Sequence, residues 1–250
     1  MSVVSSLVLL HGFWGDGQSF GSVCQQLGGD SRRIIVPPIS GHGRAMPRGW
    51  SFQEEAARLA AEVRAQVPGD YVLCGYSMGA RLALGVAILD WRSIRRLVLL
   101  SGRRGLQPGP EREQRRLMDE RWARRLESEP LPSVLDDWER QPVLAPRSGV
   151  SPLALELRRK RRLEHRGPEL ASALRCLGLA CMPSYAESVS ALGCPVTLMA
   201  GELDIKFRAL GEVLAAEIPG AELVVVHGSG HDLPLEAPRV VAQTLLAGSA

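Results

Sequence analysis

The chain has 250 residues, of which 45% are hydrophobic and 23% are charged. These proportions are those of an ordinary globular protein and exclude a disordered or fibrous chain. Only 5% of the residues are aromatic, so the core has to consist mainly of aliphatic side chains. The length suits one large domain, whose core needs neither disulfides nor a structural metal. A net charge of +3 is too small to indicate nucleic acid as a partner.

The positive charge is concentrated in the middle of the chain. Residues 103–190 contain 17 Lys and Arg against 13 Asp and Glu, whereas the rest of the chain holds 13 basic and 14 acidic residues. Arginines on helices most often lie on solvated surface. The alternative is that this segment faces an anionic ligand, and both interpretations stay open at this point.

The cysteine pattern and the hydropathy indicate the cellular setting. Five cysteines are an odd number and show no metal-ligand spacing, so free thiols in a reducing compartment are expected. The first residues lack the basic region of a signal peptide, and no stretch approaches the roughly 18 apolar residues of a membrane span. We predict a cytoplasmic protein that binds neither a membrane nor nucleic acid, and a monomer is compatible with the sequence.

Short apolar segments alternate with helix-like segments along the chain. Six of them are nearly uninterrupted runs of Val, Leu and Ile, which is typical of parallel strands covered on both faces. These predicted strands are residues 7–10, 33–36, 71–74, 97–100, 196–200 and 223–226. Helices are predicted at residues 51–67, 78–89, 207–217 and 238–246. The alternation predicts an α/β fold with a mostly parallel, doubly wound sheet.

The alternation stops between residues 103 and 191. This stretch predicts helices, for example at residues 111–126 and 152–165, and contains no convincing strand pattern. A helical insertion between strands of a parallel sheet lies over the carboxyl ends of the strands, where such folds bind ligands. We therefore predict a core of residues 1–102 and 192–250 and a helical cap of residues 103–191.

The segment Gly75-Tyr76-Ser77-Met78-Gly79 follows a predicted strand and precedes an Ala- and Leu-rich helix. This is the motif G-x-S-x-G in the strand–turn–helix context of a nucleophile elbow. Its glycines permit a turn so tight that side chains there would collide with neighbouring strands. Ser77 is thereby exposed at a helix N-terminus, where the partial positive charge favours a developing anion. The motif predicts Ser77 as a catalytic serine.

A catalytic serine needs a base, and the base needs an acid that orients it. In α/β-hydrolases the three follow in the order Ser, Asp, His, each on a loop after a strand. Asp204 and His231 lie on such predicted loops and are the candidate acid and base, with Glu202 as an alternative acid. Four other histidines are weaker candidates for the base because of their positions: His11, His42, His165 and His227.

The loop after the first predicted strand has the sequence His11-Gly12-Phe13-Trp14-Gly15. Backbone N–H groups of such a loop, with that of the residue after the serine, form the oxyanion hole of α/β-hydrolases. The backbone N–H groups of Phe13 and Met78 are therefore the candidates. A glycine-rich turn of purely structural use is the alternative.

Arginines provide candidate contacts to an anionic substrate. Arg81 lies about one helical turn after Ser77, so it can project toward the same site. Arg115 and Arg162 lie among many other arginines of the predicted cap. Guanidinium groups suit carboxylates, and several converging on one pocket would indicate a substrate with several carboxylates. Sequence spacing does not establish whether they converge.

Four segments together resemble one family, the 2-succinyl-6-hydroxy-2,4-cyclohexadiene-1-carboxylate synthases of menaquinone biosynthesis. They are Leu10-His11-Gly12-Phe13-Trp14-Gly15, Gly75-Tyr76-Ser77-Met78-Gly79-Ala80-Arg81, Trp138-Glu139-Arg140-Gln141-Pro142-Val143 and Gly201-Glu202-Leu203-Asp204-Ile205-Lys206-Phe207. The likeness extends from about residue 7 to residue 236. The combination of these motifs is far more specific than G-x-S-x-G alone.

The resemblance implies a lyase that eliminates pyruvate rather than a hydrolase. Ser77, activated by His231 and Asp204, would act as the base that removes a ring proton, and no metal or organic cofactor is implied. The substrate would be a small anion carrying an enolpyruvyl ether, a succinyl group and a ring carboxylate. The residues implied to contact it are Tyr76, Arg81, Arg115, Trp138 and Arg162.

Some positions depart from the family pattern. Glu139 stands where an aromatic residue often follows the Trp of the cap, and its carboxylate would repel an anionic substrate if it faced inward. Around Arg162 the correspondence is loose, and Arg158, Arg159 and Arg161 are rival candidates.

Two other functions stay open at this point. One is a hydrolase of esters or thioesters with Ser77 as covalent nucleophile. The other is a binding protein without catalytic activity.

Overall fold

The computed structural model of the chain describes residues 6–28, 33–144 and 149–247, so part of the segment considered for a signal peptide lies outside it. Its six strands are β1 (Ser6–Leu10), β2 (Ile34–Ile35), β3 (Tyr71–Tyr76), β4 (Ile94–Leu100), β5 (Val196–Gly201) and β6 (Glu222–Val226). Its α-helices are α1 (Gly21–Leu27), α2 (Phe52–Gln66), α3 (Met78–Leu89), α4 (Pro110–Ser128), α5 (Leu131–Glu139), α6 (Pro152–Leu163), α7 (Gly167–Leu177), α8 (Ile205–Glu217), α9 (Leu233–Glu236) and α10 (Pro238–Leu246).

The six strands form one parallel sheet in the order β2-β1-β3-β4-β5-β6. The predicted parallel, doubly wound sheet is thereby confirmed. The chain leaves β1 toward β2 on one side and returns to β3 on the other, so the strand order reverses at β1. Ligands of such folds bind where the order reverses, outside the carboxyl ends of the strands. The loops that follow β1 and β3 therefore border the expected binding site.

The core lies on both faces of the sheet because side chains alternate along each strand. Leu7 and Leu9 point into the apolar layer formed with α1 and α10. Val8 and Leu10 point into the larger layer formed with α2, α3 and α8. Burial on both faces explains why the strands read as continuous apolar runs rather than as alternating patterns.

Between β4 and β5 the chain forms the four helices α4 to α7, which we call the cap helices. They enclose an apolar cluster that includes Ala123, Val134 and Leu170. Trp14, from the loop after β1, is completely buried in this cluster, and its indole N–H donates a hydrogen bond to the Arg162 carbonyl oxygen at 2.9 Å. The loop that borders the binding site is thus also the anchor of the cap helices.

The start of α2 agrees with the sequence prediction, whereas β2 is shorter than predicted. The capping box opens α2 as predicted, since the Ser51 hydroxyl accepts from the Glu54 N–H and the Glu54 carboxylate accepts from the Ser51 N–H. β2 contains only two of its four predicted residues, because it is an edge strand followed by prolines, which cannot donate to a ladder.

Within the described residues, no helix is both long and apolar enough to cross a membrane.

Candidate active site

The turn between β3 and α3 holds Ser77 in a strained backbone conformation. Ser77 has a φ of 53°, a left-handed value that non-glycine residues rarely adopt, and its N–H donates to the Leu100 carbonyl oxygen at 2.9 Å. A Cβ at Gly75 would overlap the backbone of Gly79, and a Cβ at Gly79 would overlap the carbonyl oxygen of Leu10 in β1. The two glycines therefore allow α3 to start directly against the sheet with Ser77 at its N-cap.

Ser77, His231 and Asp204 form one hydrogen-bonded chain. The Ser77 Oγ lies 3.1 Å from Nε2 of His231, and Nδ1 of His231 lies 2.7 Å from an Asp204 carboxylate oxygen. A carboxylate accepts but does not donate, so Nδ1 carries the hydrogen and Nε2 is free to accept the serine proton. Asp204 and His231 are both buried, which keeps this chain out of water. The geometry is that of a Ser-His-Asp triad.

Three further residues, which the sequence reasoning missed, hold the imidazole in place. The Ser101 hydroxyl donates to the His231 carbonyl oxygen at 3.1 Å, and the Phe207 ring lies 4.5 Å from the imidazole, measured between centroids. Glu236 accepts hydrogen bonds from the N–H groups of Gly230 and Asp232, on either side of the histidine. Phe207 belongs to the motif around Asp204, so its position was a usable signal. Ser101 and Glu236 carry no comparable motif.

Ser77 opens into a cavity of about 80 Å³ between the sheet and the cap helices, which we call the serine cavity. Its lining contains five further residues predicted for the site: Phe13, Met78, Arg81, Arg115 and Trp138. Met78 is the first residue of α3, and the first N–H groups of a helix have no acceptor within the helix. The structure thus brings together the candidate catalytic serine, the candidate oxyanion-hole residues and two of the three candidate arginines.

The two arginines of the serine cavity differ in their partners. The Arg81 guanidinium donates to the carbonyl oxygen of Leu177 at 2.8 Å, whereas Arg115 pairs with the carboxylate of Asp119 at 2.8 Å. Burial, and next the positive charge of Arg115, lower the pKa of Arg81 to about 9. Arg81 therefore stays charged at neutral pH without its full hydration and with a neutral acceptor, which favours binding of an anion.

Tyr76 and Arg162, also predicted for the site, line a second cavity of about 40 Å³, which we call the arginine chamber. Phe13 belongs to the walls of both cavities. Arg158 and Arg161 line the chamber as well, and Arg162 is paired with Glu139 at 2.7 Å. Tyr76 and Arg162 thus line the chamber rather than the serine cavity, while the Tyr76 ring also lies 5.6 Å from the His231 imidazole, between centroids. This separation depends on how α6 packs, which sequence spacing does not encode.

The alternative candidates for the acid and the base lie elsewhere. Glu202 pairs with the exposed His227 at 2.8 Å and accepts from the Gly228 N–H, so it stabilises the loop before His231. Among the described residues, neither Glu202 nor His227 forms a hydrogen bond or an ion pair with the triad.

No group of three or more His, Cys, Asp or Glu side chains in the described parts of the chain is arranged to hold a metal ion.

The remaining three histidines form a cluster at the loop after β1, to which His11 belongs. The rings of His11 and His42 lie 5.2 Å apart and those of His42 and His165 lie 5.7 Å apart, between centroids. Nε2 of His42 accepts a hydrogen bond from the Trp14 N–H at 3.1 Å, so this imidazole is neutral at that nitrogen. Burial lowers the pKa of His11 to about 4, and burial together with the neighbouring histidines lowers the pKa of His42.

These buried histidines predict a loss of stability in mild acid. The unfolded chain, with a histidine pKa of about 6.5, binds protons that the folded chain excludes until the pH approaches 4, so the free energy of unfolding falls as the pH decreases through this window. His11 alone should contribute a loss of about 2 kcal/mol between pH 7 and pH 5. Urea denaturation at the two pH values measures it. A His11→Asn variant should show a smaller loss than the parent, whereas a His227→Gln variant at an exposed position should match the parent; equal losses in all three would contradict the account.

Comparison with known proteins agrees with the fold and identifies the family. Residues 7–244 match the model of the Alpha/beta hydrolase family, and the chain belongs to this family. Within it, the chain belongs to the 2-succinyl-6-hydroxy-2,4-cyclohexadiene-1-carboxylate synthases. It is 37% identical to the synthase of Salmonella agona (strain SL483) and 36% identical to that of Salmonella newport (strain SL254). Each alignment covers 96% of this chain and 92% of the relative. The resemblance found in the sequence motifs is thereby confirmed.

Solved structures show the same relationship. The structure of MenH from S. aureus superposes with a TM-score of 0.92 at 25% identity, covering 100% of this chain and 96% of that one. A thermophilic esterase from Thermogutta terrifontis, in a malate-bound structure, superposes with a TM-score of 0.81 at 26% identity, covering 96% of this chain and 88% of the esterase. The fold is therefore shared by MenH and by an esterase, and the fold alone does not choose between two activities.

Proposed function

We propose that the chain is a lyase that eliminates pyruvate from 2-succinyl-5-enolpyruvyl-6-hydroxy-3-cyclohexene-1-carboxylate and forms 2-succinyl-6-hydroxy-2,4-cyclohexadiene-1-carboxylate, a step of menaquinone biosynthesis. The observation that carries the proposal is a complete Ser-His-Asp chain facing the partly buried Arg81, whose direct partner is a neutral carbonyl group. This combination suits a base acting on an anionic substrate. The relatives that share nearly the whole chain are named as this synthase.

In the proposed reaction Ser77 removes the ring proton next to the succinyl carbonyl while its own hydroxyl proton passes to Nε2 of His231. The electron pair of the broken C–H bond forms a new ring double bond, the existing double bond shifts by one position, and the C–O bond to the enolpyruvyl group breaks. Pyruvate leaves as its enolate and is protonated, which returns the proton count to its start. Every step is a proton transfer or an elimination, so the triad needs no cofactor.

The surrounding groups stabilise the charge that develops in this reaction. Negative charge gathers on the succinyl carbonyl oxygen as the proton leaves, and the N–H groups of Phe13 and Met78 are the proposed donors to it. Asp204 stabilises the imidazolium that forms on His231. Arg81 and Arg115 are the proposed partners of substrate carboxylates in the serine cavity, beside Trp138.

The proposal includes a movement of the cap helices. A cavity of about 80 Å³ is smaller than the roughly 300–1,000 Å³ of pockets that enclose ligands of this size. Residues of α4, α5 and α7 close the cavity opposite Ser77. The proposed division is thus a core of residues 1–102 and 192–250 under a cap of residues 103–191 that separates to admit the substrate. We further propose a cytoplasmic setting, in keeping with five cysteines that form no disulfide.

The esterase alternative is supported by the Thermogutta terrifontis structure and is separated from the lyase by a simple assay. A small neutral p-nitrophenyl ester lacks the carboxylates that Arg81 and Arg115 would bind. We expect slow hydrolysis without a burst of p-nitrophenol, because Ser77 then acts as a base rather than as a nucleophile. Rapid turnover with a stoichiometric burst, together with no pyruvate release from the menaquinone precursor, would favour the esterase.

A further inference from the structure

Besides Asp16 and Asp232, which line the arginine chamber, a third carboxylate pairs with arginines of the chamber. Glu139, the last residue of α5, lies 2.7 Å from the Arg162 guanidinium, 3.3 Å from that of Arg159 and 3.8 Å from that of Arg158. The side chains of Arg158 and Arg162 are both 12% exposed and that of Glu139 is 20% exposed. Solvent therefore screens these ion pairs less than it screens pairs on an open surface.

The position of Glu139 follows from its neighbour in the helix. Trp138 packs on Phe13 and lines the serine cavity, with ring centroids 5.0 Å apart. Glu139, the next residue and the last of α5, pairs with arginines of α6. Glu139 thus follows a residue of the serine cavity in the sequence and pairs with Arg158 and Arg162, which line the arginine chamber.

Each arginine of the chamber has its own acid. Arg158 pairs with Asp232 at 3.0 Å and Arg161 pairs with Asp16 at 3.2 Å, so with the Glu139–Arg162 pair the chamber has no surplus cation for a ligand. The serine cavity differs, because Arg81 donates to the Leu177 carbonyl oxygen and lies over the Phe52 ring, and it forms no ion pair with the described acidic residues. A carboxylate that reaches Arg162 has to replace Glu139, whereas one that reaches Arg81 replaces no anion.

We propose that Glu139 is a specificity-determining residue: its carboxylate pairs with Arg162, and a substrate carboxylate has to displace it before binding this arginine. The inference rests on the proposed function and deepens it. A small ligand with few contacts does not recover the cost of breaking the Glu139 ion pairs. A substrate already bound at Arg81 recovers this cost, because its second carboxylate is then present near Arg162 at high effective concentration. Glu139 thus selects for multiply anionic substrates of the right span and against small dicarboxylates.

Replacement of Glu139 by the isosteric glutamine tests this selection. In Glu139→Gln we expect the KM for the menaquinone precursor to fall about tenfold, which corresponds to about 1.4 kcal/mol, with kcat within about twofold of the parent. The inhibition constant of succinate, as a small dicarboxylate, should fall by a clearly larger factor, because the discrimination against it is lost. Asp137→Asn is the matched control on the same helix, because Asp137 pairs with Arg125 and Arg140 outside the chamber, and it should change neither constant.

A double variant assigns the effect to Arg162. In an Arg162→Gln background the Glu139→Gln replacement should no longer lower either constant. Without the Arg162 guanidinium, Glu139 no longer competes with the ligand carboxylate for it. An unchanged KM and inhibition constant in Glu139→Gln would overturn the proposal, and so would an effect that persists without Arg162. Succinate binding followed by thermal shift requires no turnover. A parent chain that releases no pyruvate would therefore contradict the proposed function, while the succinate measurement would still decide the role of Glu139.

Discussion

Replacing Ser77 by alanine is expected to lower kcat for pyruvate release about 10³-fold, within the range of effects of general-base catalysis. The reason is that the Ser77 Oγ is the atom that lies between His231 and the serine cavity. Alanine meets the same backbone requirement at φ 53° and removes only the hydroxyl, so the melting temperature should stay close to that of the parent. Single-turnover measurement of pyruvate release and a thermal melt of the same preparation check both statements.

His231→Asn and the double variant provide the controls for this result. Residues that act as one catalytic unit lose activity non-additively, so the double variant should be about as slow as either single variant. Additive losses would show that Ser77 and His231 act independently. A Ser77→Ala variant with activity within tenfold of the parent would remove the serine from the mechanism.

Replacing Arg81 by glutamine is expected to lower kcat/KM for the menaquinone precursor about 100-fold, or about 2.7 kcal/mol, because a buried charged contact to the substrate is lost. Arg81→Lys should recover part of this loss, since lysine keeps the charge but not the two-pronged geometry of the guanidinium. Hydrolysis of a neutral p-nitrophenyl ester, however slow, should not change in Arg81→Gln. Steady-state kinetics with the two substrates measures the difference.

Arg140→Gln is the matched control for net charge. Arg140 directly follows α5, one of the cap helices, but its side chain is 72% exposed and pairs with Asp137. Its replacement should leave kcat/KM within about twofold of the parent, because exposed ion pairs contribute little. An equal loss in both variants would point to a general effect of protein charge, and an unchanged kcat/KM in Arg81→Gln would contradict the placement of a substrate carboxylate at Arg81.

The sheet and the elbow could be predicted from the sequence because their causes are local. Buried parallel strands require continuous apolar runs, and the elbow requires glycine where a Cβ would meet backbone atoms, as at Gly79. The positions of Asp204 and His231 followed from chain order and from the loops after two strands. The strand runs, the elbow and the two loops each lie within a few neighbouring residues, and only the order Ser, Asp, His extends over the chain.

The pairing of the arginines could not be predicted in this way. Arg115 and Arg162 look alike in the sequence, but one lines the serine cavity and the other lines the arginine chamber. The difference depends on the packing of α4 and α6 and on acids such as Asp119 and Glu139, which meet the guanidinium groups only in the folded chain. Glu139 was recognised in the sequence as a departure, and its ion pairs explain how its charge is accommodated.

Direct measurement of pyruvate release tests the central claim that the Ser77 hydroxyl acts as a base in an elimination. The purified chain is mixed with 2-succinyl-5-enolpyruvyl-6-hydroxy-3-cyclohexene-1-carboxylate, pyruvate is followed with a coupled dehydrogenase, and the intact protein mass is recorded during turnover. We predict one pyruvate for each cyclohexadiene formed and an unchanged protein mass. A covalent adduct on Ser77, or the absence of pyruvate under these conditions, would contradict the account.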